Sequence, residues 1–588
     1  MNSVAEGHGS DGGLLGREPR PNVLREYAFV ADGERGALIG PGGDIGWMCA
    51  PRWDSSPLFD NLLGGRSFYE VRPAARFVWG GAYEPGSLVW HSRWVTGSGT
   101  VECVEALAYP GDEHRAVLLR QVRAVTGPAH VFATLTLDDV SGERLPDGLG
   151  WAMRSRDLHC RWSTPDPQAV TAATADRNSW QLTIMLAAGE SCDLEFEVSD
   201  RPLPRRPDEM PRVWESTRRA WSRATPDLGG LCPTDARQSY AVMRGLTHRD
   251  GGTVAAVSTS MPERPGGSRN YDYRYVWIRD TSYCGIAAAV SGDTDLLAGS
   301  AAFVAARLRE HGESLSPAYT VGGADVPSES RLGLPGYPGG SDRIGNWVRD
   351  QFQLDEFGEA LSLFAHAARA DCLGDDAHRA VSVAAEAIET LWQRPDAGIW
   401  EIENRRWTHS RLACVAGLRA TADAIDDRHA EHRRRLADHI LAETTRTSLT
   451  RDGRWQRADD DPGLDGALLE AGLRGAVDLT DPRSRLTLDA YLDRLTLDGY
   501  AYRFAHGDDP LGSVEGSFVL CGFWVAQSLH SQQRYTEAQA WFERIRCAYG
   551  PGRLYSEEFD AAQHQLRGNL PQAFVHASMI ESSLLLDR

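Results

Sequence analysis

The sequence contains no lysine, so all 62 of its basic residues are arginines, and 82 acidic residues give it a formal net charge of −20 over 588 residues. We attribute the missing lysine to a GC-rich coding sequence rather than to a function. The negative charge argues against nucleic acid or an anionic membrane as a partner, because either would select a basic face.

The usual signals of disulfide frameworks, membrane spans and metal sites are also missing. The ten cysteines are scattered and form no CxxC pair, which excludes a cysteine zinc site and a dense disulfide framework. No run approaches the roughly 18 apolar residues of a membrane span, and residues 1–21 lack the apolar core of a signal peptide. The histidine-containing run 429–439 is rich in arginine and predicts a solvated helix face. We therefore expect a cytoplasmic protein without a metal or cofactor, with a disordered leader over residues 1–24.

The first third of the chain has strand patterns. Short apolar segments are separated by Gly, Pro and Asp, and segments such as 130–138 and 181–187 alternate between apolar and polar residues nearly at period two. Many short strands without intervening helices predict an antiparallel β-sandwich, which we place at residues 25–205.

The remainder of the chain has helical patterns. Residues 206–229 are predicted to form a linker that carries a helix, and residues 230–588 contain about a dozen segments with helical spacing. We find neither the alternation of a parallel sheet nor the regular repeat that an open helical array would show. The pattern therefore predicts a closed double ring of helices whose loops form a pocket at one end.

One polar segment, residues 269–283, is unusually rich in aromatic side chains. It holds five aromatic residues, three arginines and two aspartates directly before an apolar run. Rings can cover the C–H faces of a sugar, while Arg and Asp bind its hydroxyls in fixed geometry. The alternative is a helix start with Asp280 in or near the first turn and half-buried tyrosines.

Two other loops place carboxylates beside large rings. They are Gly398-Ile-Trp400-Glu401-Ile-Glu403 and Tyr555-Ser-Glu557-Glu558. Cleavage of a glycosidic bond requires two carboxyl groups, an acid for the leaving oxygen and a base or nucleophile on the other face of the sugar. A neighbouring ring excludes water from one of them, raises its pKa and keeps it protonated as the acid. The alternative for each loop is a glutamate pair on the surface.

Several motifs occur in an order that identifies a family resemblance. They are Glu26-Tyr-Ala-Phe-Val, Gly46-Trp-Met-Cys-Ala-Pro-Arg-Trp, Arg269-Asn-Tyr-Asp-Tyr-Arg-Tyr-Val-Trp-Ile-Arg-Asp280, Gln351-Phe-Gln-Leu-Asp355, Gly398-Ile-Trp-Glu401, Glu515-Gly-Ser-Phe, Tyr555-Ser-Glu-Glu558 and Gly568-Asn-Leu-Pro. From about residue 25 to the end, the chain resembles the bacterial glucoamylase and trehalase-like proteins of glycoside hydrolase family 15. The resemblance implies an α+β multidomain fold, with an N-terminal antiparallel β-sandwich followed by an (α/α)6 helical barrel.

The resemblance also implies an inverting mechanism, with the general acid and the general base roughly 6.5–9.5 Å apart so that a water fits between them. Glu401 matches the general acid of the family and Glu557 matches its general base. Arg279 and Asp280 match residues that hold the hydroxyls of the terminal glucose. The full set of predicted substrate contacts is Trp277, Arg279, Asp280, Trp400 and Arg503.

We therefore predict an exo-acting, inverting glycoside hydrolase that releases glucose from a terminal α-glucosidic linkage of a small-molecule carbohydrate. An α,α-trehalase is the second interpretation within the family, and the motifs do not separate the two. A disaccharide phosphorylase would use phosphate instead of water and would not need a carboxylate base, so Glu557 argues against it. A non-catalytic sugar-binding protein would lose one of the two carboxylates, and both are present.

Overall fold

A computed structural model describes residues 19–145, 150–204 and 209–588. Most of the predicted leader, residues 1–18, lies outside the described residues. Its last residues pack on the body of the protein, where Asn61 Nδ2 donates a 3.0 Å hydrogen bond to Pro19 O and Tyr337 Oη donates one of 2.8 Å to Asn22 O.

The N-terminal part of the described chain consists of strands. They are β1 (Ala28–Ala31), β2 (Gly36–Ile39), β3 (Asp44–Cys49), β4 (Pro57–Phe59), β5 (Phe68–Pro73), β6 (Phe77–Tyr83), β7 (Trp90–Thr96), β8 (Thr100–Leu107), β9 (Arg115–Thr126), β10 (Ala129–Thr136), β11 (Val140–Arg144), β12 (Gly150–Ser155), β13 (Leu158–Ser163), β14 (Val170–Asp176), β15 (Ser179–Leu186) and β16 (Ser191–Ser199). They form two antiparallel sheets, in the orders β1-β2-β3-β5-β10-β15-β14, with β4 beside β3, and β11-β12-β13-β16-β9-β8-β7-β6.

The period-two segments of the sequence lie where the two sheets pack together. In β10 and β15, Val131 pairs with Ile184 and Ala133 pairs with Leu182, and all four side chains are buried. Alternate residues of a strand point to one face, so this register buries one apolar row in the core between the sheets. The predicted β-sandwich is confirmed.

The C-terminal part of the described chain is helical. The helices are α1 (Met210–Ala224), α2 (Pro233–Gly245), α3 (Ile278–Val290), α4 (Thr294–His311), α5 (Asp355–Arg369), α6 (Asp375–Leu391), α7 (Thr408–Ala424), α8 (Ala430–Thr447), α9 (Glu470–Leu473), α10 (Pro482–Arg494), α11 (Val519–Ser531), α12 (Tyr535–Arg546) and α13 (Ala573–Leu585).

Helices α2 to α13 form the predicted double ring. Helices α3, α5, α7, α9, α11 and α13 contact one another in that order, and α13 contacts α3, which closes an inner ring. Helices α2, α4, α6, α8, α10 and α12 pack outside it. All residues from Val519 to Leu529 of α11 are buried, as expected for an inner helix that is covered on every side. This arrangement is the predicted (α/α)6 barrel.

Two helices differ from the sequence pattern. The pattern predicts one helix over residues 464–477, whereas the structure has a 3-10 turn (Gly466–Leu469) followed only by the single turn of α9. Gly475 has φ of 86°, which ends any helix there. The pattern does not predict α10, although Asp481 caps its first turn and Pro482 opens it, both of which are helix-start signals.

The sandwich packs against the barrel through buried aromatic side chains. Trp47 Nε1 donates a 2.8 Å hydrogen bond to Val257 O, which lies in the loop between α2 and α3. Helix α1 lies within the predicted linker, residues 206–229, and its Trp221 stacks on Tyr109 of the sandwich with ring centroids 4.0 Å apart. The sandwich thereby supports a loop that leads to the pocket described below.

Within the described ranges, no helix is both long enough and apolar enough to cross a membrane. The histidines of the run 429–439 are exposed on or next to α8, as predicted for a solvated helix face.

Candidate active site

A cavity opens at the end of the barrel where the inner helices α3, α5, α7, α11 and α13 begin. Its walls come from the loops before these helices and from their first turns. All seven residues that the sequence nominates line it, namely Trp277, Arg279, Asp280, Trp400, Glu401, Arg503 and Glu557. The ring of helices thus brings the three aromatic, acidic segments of the sequence into one site.

Glu401 lies in a tight turn that the sequence does not reveal. Its φ of 55° is left-handed, which is uncommon for a residue other than glycine and costs on the order of 1–3 kcal/mol. The turn is held by Asp396, whose Oδ2 accepts hydrogen bonds from Leu354 N (3.1 Å), Gly398 N (3.0 Å) and Ser410 Oγ (2.8 Å). These bonds fix the direction in which the Glu401 side chain enters the cavity.

One oxygen of Glu401 is held by residues from the start of α3. Trp277 Nε1 donates a 2.7 Å hydrogen bond to Glu401 Oε1, and Arg279 Nη2 approaches the same oxygen at 3.5 Å. The Glu401 side chain is 21% exposed, so the carboxyl faces the cavity rather than the core.

Arg279 and Asp280 occupy the first turn of α3, so the segment is both a helix start and a pocket wall. Arg279 Nη1 donates to Gln353 Oε1 at 2.7 Å and lies 3.4 Å from Asp355 Oδ2, whereas Asp280 Oδ2 is 4.0 Å from Arg279 Nε. Burial raises the pKa of Asp280 to about 7, although the Arg279 charge opposes the shift. Both side chains are buried, so we call this wall the closed side of the cavity.

Glu557 enters the cavity from the loop before α13. The Tyr273 hydroxyl lies 2.9 Å from its Oε1 and 3.1 Å from its Oε2. Burial and the charge of Glu263 raise the pKa of Glu557 to about 8, while Arg503 and Tyr273 oppose this shift. The raised pKa of Glu557, the matched base, follows from its 6% exposure and its acidic neighbour.

Arg503 lies at the centre of an acidic cluster. Its Nη2 donates to Glu515, lies 3.3 Å from Glu558 Oε1 and lies 3.5 Å from Glu263 Oε2. Its guanidinium carbon is also 4.7 Å from the centre of the Phe518 ring. The sequence assigns Arg503 to the sugar, whereas the structure shows that its Nε and Nη2 bind protein carboxylates.

Two buried groups in the described chain could supply three metal ligands each. They are Glu263, Glu515 and Glu558, and Glu359, His409 and Glu470, with ligand atoms within 4.8 Å of one another in each group. Arg503 already lies among the first three carboxylates, and Arg474 Nε lies 3.1 Å from Glu470 Oε1 in the second group. An arginine charge therefore already compensates both clusters, and we assign a metal to neither.

Some cavity residues are absent from the sequence prediction. Tyr271 and Tyr273 enter the sequence prediction only as rings of the segment 269–283, and Glu263 and Phe574 do not enter it. Tyr273 Oη binds Glu557, which lies nearly 300 residues later, so no local pattern could have assigned its role. Glu263 follows a proline outside the aromatic segment and has no periodic signal.

The family model of "Glycosyl hydrolases family 15" matches residues 243–584, which is more than half of the chain. The chain belongs to glycoside hydrolase family 15. It is therefore a glycoside hydrolase, and the matched range contains all seven predicted site residues. A second model, "Trehalase-like, N-terminal", matches residues 14–136.

Relatives of this family 15 chain extend over both parts of its length. A trehalase of Mycolicibacterium smegmatis is 29% identical and the match covers 96% of this chain and 91% of the relative. Trehalase 1 of Sulfolobus acidocaldarius is 28% identical over 95% of this chain and 98% of the relative. The crystal structure of a bacterial glucoamylase complexed with acarbose aligns with this chain with a TM-score of 0.72 and 13% sequence identity. The alignment covers 98% of this chain and 97% of that chain. The last similarity shows the shared fold.

The stability of this family 15 chain is expected to fall as the pH rises from about 5 to 8. Burial raises the pKa of Asp44, Asp280 and Asp396 to about 7 each, so the folded chain keeps protons that the unfolded chain, with ordinary values of about 3.9, releases. Between pH 5 and about 7, each such group favours unfolding by about 1.4 kcal/mol per pH unit, and the effect levels off above its folded pKa.

Calorimetry at pH 5, 6.5 and 8 should give the highest Tm at pH 5. Asp44→Asn, in the sandwich and outside the cavity, removes one of these carboxyls and should make the dependence of Tm on pH shallower. A Tm that rises steadily from pH 5 to pH 8 would contradict the prediction.

Proposed function

We propose that this chain is an inverting, exo-acting hydrolase that releases glucose from a terminal α-glucosidic linkage. The observation that carries the proposal is the presence of Glu401 and Glu557 in one cavity, on different loops and in different surroundings. We assign catalysis to the helical domain, residues 230–588, and support of its loops to the sandwich, residues 25–205, and the linker, residues 206–229.

Glu401 acts as the general acid in this proposal. Trp277 and Arg279 both approach its Oε1, so Oε2 is the oxygen that would carry the proton to the leaving group. Fixing one oxygen also fixes the direction of the other, which is the positioning that general acid catalysis requires.

Glu557 acts as the general base. Its ionised carboxylate would take a proton from the water that attacks the anomeric carbon on the opposite face of the sugar. The Tyr273 hydroxyl contacts both oxygens and orients the carboxylate toward that water. Because the base has to be ionised, the raised pKa of Glu557 should move the acid limb of the activity–pH profile upward.

The exo-acting part of the proposal rests on the closed side of the cavity. Arg279 and Asp280 are 5% and 3% exposed and would bind hydroxyls of the terminal glucose, as donor and acceptor respectively. Trp277 and Trp400 supply ring surface for the sugar. Arg503 uses Nε and Nη2 in its contacts with carboxylates, so we assign the sugar contact to its Nη1.

We propose α,α-trehalose as the preferred substrate. The two curated relatives described above are named trehalases and align with nearly the whole of this chain, and the N-terminal family model is trehalase-like. The similarity to the glucoamylase supports a common fold only, so maltose and longer maltodextrins are the second candidates.

A substrate panel with an anomer readout tests this proposal. Trehalose, maltose, isomaltose, kojibiose and maltodextrins are incubated with the protein, and the products are followed by NMR before mutarotation. We expect the largest kcat/KM for trehalose, with equal amounts of α- and β-glucose in the first turnovers, because inversion changes only one of its two anomeric centres.

Three other results would replace parts of the proposal. Release of α-glucose alone from trehalose would indicate retention. Preference for maltodextrins would support the glucoamylase interpretation. Dependence on added phosphate, with a sugar phosphate as product, would indicate a phosphorylase.

A further inference from the structure

A second cavity adjoins the catalytic cavity and opens to solvent. Its walls include Glu515 and Gly516, and its rim includes the exposed residues Arg264, Asp498 and Gln563. Glu263 lines both cavities, and in the described chain it is the residue that the two linings share. The Glu263 side chain, 5% exposed, therefore forms part of the wall between the catalytic cavity and a separate opening to solvent.

Glu263 faces Glu557 across a glycine. A Cβ atom added to Gly568 would lie 3.4 Å from Glu557 Oε2 and 3.9 Å from Glu263 Cγ. Gly568 has φ of 73° and its N donates a 2.9 Å hydrogen bond to Pro262 O, which holds the two segments together. The absence of a side chain at this position leaves the space between the two carboxyl groups open.

The charges around this pair come from several elements. Glu557 faces Glu263, Arg503, Tyr273 and Glu401. Glu263 Oε2 lies 3.5 Å from Arg269 Nη1 and 3.5 Å from Arg503 Nη2, and no described side chain or backbone group donates a hydrogen bond to it. Glu515 and Glu558 contact the same Arg503, and His506 contacts Glu515.

A buried carboxylate oxygen without a donor is costly unless it receives a proton or a hydrogen bond. The charge of Glu263 is also the second cause, after burial, of the raised pKa of Glu557. Like charges in a small buried space repel each other, and a proton taken up by either carboxyl group relieves this repulsion.

We propose that Glu263 acts through the base Glu557. It takes over the proton that Glu557 removes from the attacking water and delivers it to solvent through the second cavity. This inference rests on the proposed function, with Glu557 as the general base. The second cavity offers that proton a route to solvent that a sugar bound in the exo-acting pocket would not occupy.

The proton movements balance over one turnover. Water forms a bond from its oxygen to the anomeric carbon and gives one proton to Glu557, while Glu401 gives its proton to the leaving oxygen as the glycosidic bond breaks. The proton on Glu557 then moves to Glu263 and to solvent, and Glu401 takes a proton from solvent. One water is consumed and no net proton is released.

The test is the dependence of kcat/KM on pH for Glu263→Gln, which keeps the shape and removes the charge. Loss of the negative neighbour lowers the pKa of Glu557, so the acid limb of the profile should move down by about one pH unit. On the plateau, kcat should fall about tenfold with a larger solvent deuterium isotope effect, because the proton loses its exit. Glu263→Asp keeps a carboxylate, so its acid limb and its kcat should both lie near the wild-type values.

Glu515→Gln is the matched control. It removes a glutamate that contacts Arg503 and lines the second cavity, but Glu515 does not line the catalytic cavity. Its acid limb should stay near the wild-type position. A wild-type pH profile and isotope effect in Glu263→Gln, with or without a lower Tm, would overturn the inference, as would an equal shift in Glu515→Gln. Glu557→Gln is measured alongside to separate failure of this inference from failure of the proposed function. Substantial activity in Glu557→Gln would show that Glu557 is not the base.

Discussion

Glu557→Gln is expected to hydrolyse its substrate at least about 1,000-fold more slowly than the wild type, while melting at nearly the same temperature. The amide cannot take a proton from the attacking water, and inversion offers no covalent route around this step. Since burial and the charge of Glu263 raise the pKa of the Glu557 carboxyl and so favour its neutral form, a neutral amide should be tolerated by the fold. Measurement of kcat beside a calorimetric Tm separates the two effects.

Glu401→Gln is expected to hydrolyse trehalose more slowly by a similar factor, because the leaving oxygen no longer receives a proton. The leaving group of the substrate distinguishes this cause from loss of the base. An aryl α-glucoside with an acidic phenol as leaving group needs little protonation, so this variant should keep much more of its activity on that substrate. Glu557→Gln should lose activity on both substrates alike. If both variants respond in the same way to the leaving group, the assignment of acid and base is wrong.

Glu403→Gln provides the control for this pair. Glu403 lies two residues from Glu401, but its side chain is 59% exposed and pairs with Arg405 at 3.1 Å instead of entering the cavity. Near-wild-type activity is expected, since an exposed pair of this kind contributes little. Loss of turnover here, with activity retained in Glu401→Gln, would move the acid to Glu403.

Asp280→Asn should lower kcat/KM by at least about 100-fold, which corresponds to about 2.7 kcal/mol of transition-state stabilisation. A carboxylate at the closed side of the pocket accepts hydrogen bonds from sugar hydroxyls, and an amide in its place leaves part of that hydrogen bonding unmade. The fold should not suffer, because burial disfavours the charge of Asp280 in the empty site. Kinetics on trehalose and a melting curve of the same preparation test both statements.

Asp295→Asn separates pocket chemistry from a helix-start charge. Asp295 is also an acidic residue in the first turn of a helix, α4, but it is exposed and lies outside the cavity. Loss of its interaction with the helix dipole should cost about 0.3–1 kcal/mol and leave kcat/KM unchanged. If Asp280→Asn instead melts much earlier than the wild type and hydrolyses normally once folded, Asp280 is a structural residue and the argument for an exo-acting pocket is lost.

The sequence by itself determined the two-part architecture and the inventory of chemical groups. Alternation at period two in segments such as 130–138 requires a strand with one buried face, and a uniformly apolar segment such as α11 requires a helix buried on all sides. These are local consequences of backbone geometry. The composition of segment 269–283 suits neither a core nor a solvated loop, whereas the roles of Glu401 and Glu557 were assigned through the family resemblance.

Local pattern was insufficient where the conformation depends on partners distant in the sequence. The apolar pattern does not predict helix α10, although Asp481 caps it, because its apolar spacing is weak. The pattern predicts one helix over residues 464–477, but its glycines and its packing in the inner ring reduce it to a 3-10 turn and one helical turn. In both cases tertiary packing outweighs a small local propensity.

Only the tertiary structure decided how the groups of the site act on one another. The left-handed turn at Glu401 is held by hydrogen bonds from Leu354 N and Gly398 N to Asp396. Glu401, Tyr273 and Glu557 come together only when the helical ring closes. The pKa of Glu557 depends on its burial and on Glu263, which lies almost 300 residues earlier in the chain. Electrostatic interactions depend on distance and burial in space, so residue type and spacing along a sequence cannot supply them.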